Sequence, residues 1–199
     1  MFKANDSTAT EQQRQTLPPI VRNLTELIEV NAKYATIYAD PPWEYENTAS
    51  RGAAANHYQT LDIETLKRMP VAKVSADNAH LHLWTTNAFL WDAAILIEAW
   101  GFKYKSCFVW VKPQLGMGNY WRVSHEFLLL GIRGRMPFND NMQRSWLLNR
   151  RSRHSQKPFA IREIIEKVSP GPYLELFGRQ EIPNSQWTIF GDQVERRLF

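Results

Sequence analysis

The chain has 199 residues and a mass of 23.3 kDa, a length that predicts a single domain. Its 44% hydrophobic and 22% charged residues exclude a disordered, collagen-like or coiled-coil chain, and the lone Cys107 excludes an intramolecular disulfide or a multi-cysteine zinc site. The net charge of +4 is unevenly spread: residues 1–100 hold 8 basic and 12 acidic side chains, and residues 101–199 hold 16 and 8.

Residues 1–16 are polar and aperiodic and read as a tail without the apolar segment of a secretory signal, leaving residues 17–199 as one domain. The run Ala35 to Ala39 is short, apolar and β-branched, and stops at Asp40-Pro41-Pro42 as a buried strand does. Glu44 to Thr60 reads as a mobile polar loop. Asp62 to Met69 has helical spacing with Asp62 as N-cap, and Pro70 ends it. A strand is predicted over His80 to Trp84, then a helix from Asn87 to Trp100 that Gly101 stops. Asp92 and Glu98 interrupt this most apolar stretch, which is also too short for a bilayer. A soluble, cytoplasmic protein is therefore expected.

Strands follow over Tyr104 to Val111 and Glu126 to Ile132, separated by a glycine-rich turn. A helix runs from Pro158, at its first turn, to Val168, and Ser169-Pro170-Gly171-Pro172 breaks it. Tyr173 to Phe177 and Trp187 to Phe190 complete the strands. Strands alternating with helices predict an α/β fold with a mostly parallel sheet and helices on both faces.

In such sheets, ligands bind at the carboxyl ends of the strands. The tetrapeptide Asp40-Pro41-Pro42-Trp43 places unusual chemistry there. Its carboxylate accepts from an exocyclic amine, and its prolines stiffen the backbone and leave carbonyls outward as further acceptors. Trp43 offers a flat face to a flipped base. The alternative is a strand stop, a rigid turn and a core tryptophan. Asn141 to Lys157 carries five Lys or Arg and no acid, which suits a polyanion as well as it suits a solvated basic surface. The eight tryptophans exceed ordinary core needs and can supply base-stacking surfaces. His80 and His82 lie two apart on a strand and share a face, where packed core histidines are favoured over metal ligands, and no metal is expected. Cys107 reads as an inert buried thiol.

Asp40-Pro41-Pro42-Trp43 resembles the catalytic motif of the MT-A70 family of adenine amino-group methyltransferases. Further segments resemble the family in order: His57 to Leu61, Leu83 to Asn87, Val109 to Lys112, His125 to Gly131, Arg153 to Pro158 and Leu174 to Arg179. The resemblance covers roughly residues 34–194. It implies a Rossmann-like methyltransferase fold whose catalytic motif precedes the main cofactor strand, with S-adenosylmethionine as cofactor. It implies that Asp40 serves both the cofactor amino group and the target amine, that Lys157 pairs with the cofactor carboxylate, and that Arg179 and Gln193 bind the ribose hydroxyls. Glu175 is either an inward acid needing a partner or a group facing the site. Asp192 stands where eukaryotic members usually have asparagine; it can accept from a ribose hydroxyl but not donate. Glu181 and Ile182 replace a His-Asn pair, so those contacts are not carried over.

The implied substrate is adenine N6 in DNA. An RNA substrate and a non-catalytic nucleic-acid-binding subunit are the alternatives. Tyr58, Trp121, Arg122, Arg144, Arg150 and Arg151 are the expected nucleic-acid contacts. Specificity would come from residues 113–152 or from a second subunit, and a homodimer also fits.

Overall fold

A computed structural model describes residues 20–44, 60–116, 120–151, 156–179 and 186–191. In chain order these are β1 (Ile20–Val21), α1 (Leu24–Glu29), β2 (Tyr34–Ala39), α2 (Ile63–Arg68), α3 (Val71–Val74), β3 (Ser75–Thr85), α4 (Leu90–Ala99), β4 (Lys103–Val111), β5 (His125–Arg133), β6 (Trp146–Leu148), α5 (Ala160–Val168), β7 (Tyr173–Leu176) and β8 (Trp187–Phe190). The strands form one sheet in the order β1-β8-β7-β2-β3-β5-β4-β6. All pair in parallel except β5, which runs against both β3 and β4. The segment joining β4 to β5 holds no crossover helix among its described residues, and without one a chain returns antiparallel. No helix among the described residues is long and apolar enough to cross a membrane.

Strand alternation divides the core between two faces. Ile37, Ala39, Leu81, Leu83, Leu174 and Leu176 face α1, α2, α3 and α4. Tyr38, Trp84, Trp110, Leu128, Tyr173 and Trp187 face the other way, where Ile161 and Ile165 of α5 cover them. Full burial of each such aliphatic side chain is worth about 1.5–3 kcal/mol. The α5 spacing Ile161-Ile165-Val168 directs one buried stripe at the sheet. Four tryptophans (Trp84, Trp100, Trp110 and Trp187) are core residues, and each indole N–H finds an acceptor, at 2.7, 2.9, 2.8 and 2.6 Å respectively. Trp91, Trp121 and Trp146 are exposed.

Several predicted boundaries shift. The strand expected from His80 begins at Ser75, because its polar start pairs through the backbone with Tyr34 of β2. The helix expected from Asn87 opens as a 3-10 turn over Asn87–Phe89. Gly101, at φ 83°, closes it as expected. Pro70 does end α2, but it also starts α3. Helix α1, capped by the Asn23 side chain, and the three-residue β6 have no counterpart among the predicted elements. The expected loop 44–60 lies outside the described residues apart from its two ends.

His80 and His82 are packed in the core, each ring 2.8–2.9 Å from the Ser169 hydroxyl. Burial holds both below the ordinary histidine pKa, His82 at about 3. Cys107 is half-buried, packed against the helix-covered core, and burial pushes its thiol up.

Candidate active site

Parallel pairing of β2 with β7 sets Ala39 beside Leu176, so the two expected functional strand ends are neighbours. Asp40 leaves one. Phe177, Gly178 and Arg179 leave the other. Phe177 adopts φ 64°, a left-handed conformation that costs a bulky residue about 1–3 kcal/mol and turns the chain sharply off the strand. Gly178 and Gly191 then meet backbone to backbone: a Cβ on Gly191 would lie 2.0 Å from the Gly178 carbonyl oxygen. Gly191, just after β8, is thereby held against Gly178, just after the Phe177 turn. Asp192 and Gln193 follow Gly191 but, like Tyr58, lie outside the described residues.

The Lys157 ammonium donates to both oxygens of Asp40, each at 2.7 Å. The same nitrogen is 3.4 Å from Glu126, whose other oxygen accepts from Lys112. Four alternating charges thus cross the carboxyl end of the sheet, from β2 through the segment before α5 to β5 and β4. Glu126 reaches this end because reversed β5 starts where its neighbours finish. Aromatic rings floor the chain: Lys157 lies 5.3 Å from the Trp84 ring centroid and Lys112 lies 4.4 Å from that of Trp110. Burial works against the Lys157 charge, but Asp40 and Glu126 outweigh it and hold the ammonium above the ordinary lysine pKa. Burial likewise opposes the Glu126 charge, and Lys157 and Lys112 outweigh it, keeping that carboxyl below its usual range.

The proline turn differs from expectation. The Pro41 carbonyl accepts the Trp43 N–H and the Pro42 carbonyl accepts the Leu61 N–H, both at 2.9 Å. These carbonyls are therefore engaged within the turn, and each retains one lone pair for another donor. Trp43 is half-buried, donates through its indole N–H to the Trp84 carbonyl at 3.2 Å, and stacks one face on Phe89 at 5.4 Å between centroids. Only the opposite face remains for a base.

Glu175 turns toward α5, where Arg162 donates to both of its oxygens at 2.8 and 2.7 Å. Of the two readings of this acid, the inward one has a visible partner. Arg150 and Arg151 are exposed beyond the carboxyl end of β6, at the same end of the sheet as Asp40. Arg144 precedes β6 instead, with its guanidinium 5.9 Å from the Trp146 ring, so β6 separates it from the other two. Trp121 and Arg122 are exposed just before β5. Lys112 and Glu126 lie in segments that resemble the family, but they and Arg162 are not among the expected site residues. The signal that could have found them is their chemistry: charged side chains at the ends of buried strands or on a helix face covering a sheet require partners.

Residues 34–193 match the MT-A70 family profile. The chain belongs to the MT-A70 family. This MT-A70 protein is 32% identical over 184 residues to the type II methyltransferase M.MunI from a Mycoplasma species, a match covering 81% of this chain and 78% of that one. It is 27% identical over 179 residues to the N(6)-adenosine-methyltransferase catalytic subunit METTL3 of Homo sapiens, and 26% identical over 177 residues to an MT-A70-like protein of Medicago truncatula. Both matches take in 84% of this chain, but only 29% of the human protein and 27% of the plant protein.

Proposed function

We propose that this MT-A70 protein transfers the methyl group of S-adenosylmethionine to the N6 amine of adenine in DNA, through one domain over residues 17–199 and in the cytoplasm. The observation that carries the reading is the Asp40–Lys157 pair, at 2.7 Å, on the strand end beside the Phe177 turn. The donor set fits the cofactor: an ammonium and a carboxylate side by side complement the carboxylate and ammonium of a methionine moiety. When bound, S-adenosylmethionine supplies a methyl group on an electrophilic sulfonium. Lys157 would hold its carboxylate and Asp40 its ammonium, with Arg179, Asp192 and Gln193 at the ribose. Glu175 would act at one remove, by fixing Arg162 and α5.

The adenine amine is a weak nucleophile because its lone pair is delocalised into the ring. Asp40 and the spare lone pair of the Pro41 carbonyl accept its two hydrogens, draw it toward a pyramidal geometry and raise electron density on nitrogen. The free face of Trp43 stacks the flipped base. The nitrogen–methyl bond would form as the sulfonium–methyl bond breaks, its electron pair staying on sulfur as a neutral thioether, and the cationic nitrogen would lose its proton to water. Positioning and preorganised charge supply the acceleration. Tyr58, Trp121, Arg122, Arg144, Arg150 and Arg151 would engage the nucleic acid, and a homodimer or a second subunit would extend the recognition surface. The preference for DNA rests on the similarity to a type II methyltransferase over most of both chains.

A tritiated-methyl assay on matched DNA and RNA oligonucleotides tests this. Label on DNA adenine supports the reading. Label on RNA alone corrects the substrate, and label on cytosine or protein alone overturns the activity.

A further inference from the structure

Among the described strands the sheet ends at β6, and no further strand pairs with its outer edge. The Val109 N–H donates to the Ser145 carbonyl at 2.9 Å, and the Asn149 N–H to the Val111 carbonyl at 3.0 Å. Alternate residues of β6 thus turn their backbone groups to β4, and Trp146 and Leu148, between them, direct theirs outward. Their side chains share a face opposite that of Leu147, which packs against the cluster holding Trp110. Trp146 is 48% exposed and Leu148 57% exposed, beside half-buried Val109 and Val111 of β4.

Register carries this face to the active site. Ala39 pairs with Leu83, Leu83 with Leu129 and Leu129 with Cys107, while Trp146 pairs with Val109, two residues further on. Trp146 is therefore level with the Asp40-Pro41-Pro42-Trp43 turn. Leu83, Leu129, Cys107 and Trp43 all join one core cluster, so strand alternation puts Trp146 on the face that Trp43 packs against. Four strand spacings of about 4.8 Å, or about 19 Å, separate β2 from β6. A nucleic-acid strand rises about 3.4 Å per stacked base and more when extended, so the gap spans about three to six nucleotides.

Charge matches such a strand. Residues 99–125 contain Lys103, Lys105, Lys112 and Arg122 and no acid, and residues 141–162 contain six Lys or Arg and no acid. The Arg144 guanidinium lies 5.9 Å from the Trp146 ring centroid, which holds a cation at the aromatic surface. A tryptophan face beside an arginine, on an edge with outward backbone N–H groups, accommodates a base together with its phosphate. A second copy of the chain would instead bring its own basic surface against this one.

We propose, resting on the methyl-transfer reading above, that Trp146 stacks an unpaired base of the substrate strand, about three to six nucleotides from the flipped adenine, with Arg144 on the adjoining phosphate. A base inside a duplex has both faces covered and gains nothing from Trp146. The contact therefore favours DNA that is single-stranded or opened at that position.

The test is fluorescence anisotropy with single-stranded and duplex DNA of one sequence, carrying a single target adenine. Trp146→Ala is expected to weaken single-strand binding about fivefold or more, the lower end for one base stacked on an aromatic ring, and duplex binding less than about twofold. Trp146→Phe is expected to recover most of the loss. An abasic site is then moved through the stated range on either side of the adenine. At one position it is expected to cost the wild-type protein about fivefold or more in affinity, and Trp146→Ala less than about twofold. If Trp146→Ala is poorly folded by its melting curve, Trp146→Leu replaces it, keeping an apolar side chain but no ring. The inference is overturned if no abasic position weakens wild-type binding, if the variant loses as much on duplex, or if the abasic cost persists in the variant. It is also overturned by a wild-type dimer that Trp146→Ala dissociates while DNA affinity holds, which makes this face a contact between copies. A wild-type chain that binds the strand but labels no adenine overturns the methyl-transfer reading instead.

Discussion

Replacing Arg162 by methionine tests what Glu175 is for. The Glu175 side chain is 9% exposed and Arg162 is 21% exposed, and both carboxylate oxygens accept from the one guanidinium. Methionine keeps an unbranched stem at this position of α5 but strands a carboxylate in the core. Leaving one member of a buried pair uncompensated costs about 3–5 kcal/mol. For a chain of this size each kcal/mol lowers the melting temperature by about 2–4 °C, so a drop on the order of 10 °C is expected. Part of the penalty is relieved where the stranded acid takes up a proton, so the deficit narrows at acidic pH. Glu175→Gln in the Arg162→Met background removes the stranded charge and is expected to regain most of the stability. Urea unfolding followed by tryptophan fluorescence, with calorimetric S-adenosylmethionine binding on the folded variants, separates the roles. Arg162→Met within 1 kcal/mol of wild type would refute the structural assignment. A tenfold loss of cofactor affinity in Glu175→Gln, with stability unchanged, would return this acid to the cofactor.

Asp40→Ala is expected to abolish methyl transfer and Asp40→Asn to remove most of it, since the amide replaces one acceptor with a donor; near-normal turnover in an Asp40→Ala tritium assay refutes the role. Trp43→Ala is expected to weaken oligonucleotide binding by about 1–3 kcal/mol, the usual worth of one base stacked on an aromatic ring, in a fluorescence titration. Neutralising Arg150 and Arg151 to glutamine should weaken DNA binding across sequences and flatten its salt dependence by about one unit for each phosphate the protein ceases to neutralise, leaving cofactor affinity unchanged; an unaltered slope marks a merely solvated surface. His82, depressed to about 3, stays neutral in the fold while the unfolded residue takes up a proton near pH 6.5, so stability present above that pH is lost as pH falls from about 6.5 toward 3, by about 1.4 kcal/mol per unit at most. Denaturation midpoints between pH 7 and 5 are expected to show this slope, flattened in His82→Leu.

What could be read along the chain was whatever local pattern encodes. Runs of apolar and β-branched residues marked β2, β3, β4, β5, β7 and β8, Asp62 marked its helix, and Gly101 marked where α4 stops. Motifs with fixed neighbours, Asp40-Pro41-Pro42-Trp43 above all, pointed to the chemistry and the family. Two kinds of feature escaped. Elements too short for a period to emerge, such as α1 and β6, depend on a cap or an edge pairing rather than on hydropathy. Pairings between distant residues escaped for a different reason: which charges meet is set by strand order and direction. Asp40 and Lys157 are 117 residues apart, and they touch because the segment before α5 crosses the end of β2. Glu126 joins them because β5, alone among the described strands, is reversed, bringing its start level with the ends of its neighbours. Glu175 was legible as an acid inside a strand, but its partner was not, because Arg162 reaches it only once α5 folds across that face. Hydrophobic periodicity says which side of an element is buried. Which buried charges neutralise one another is decided by the tertiary fold, because Coulombic pairing depends on distance in space and not along the chain.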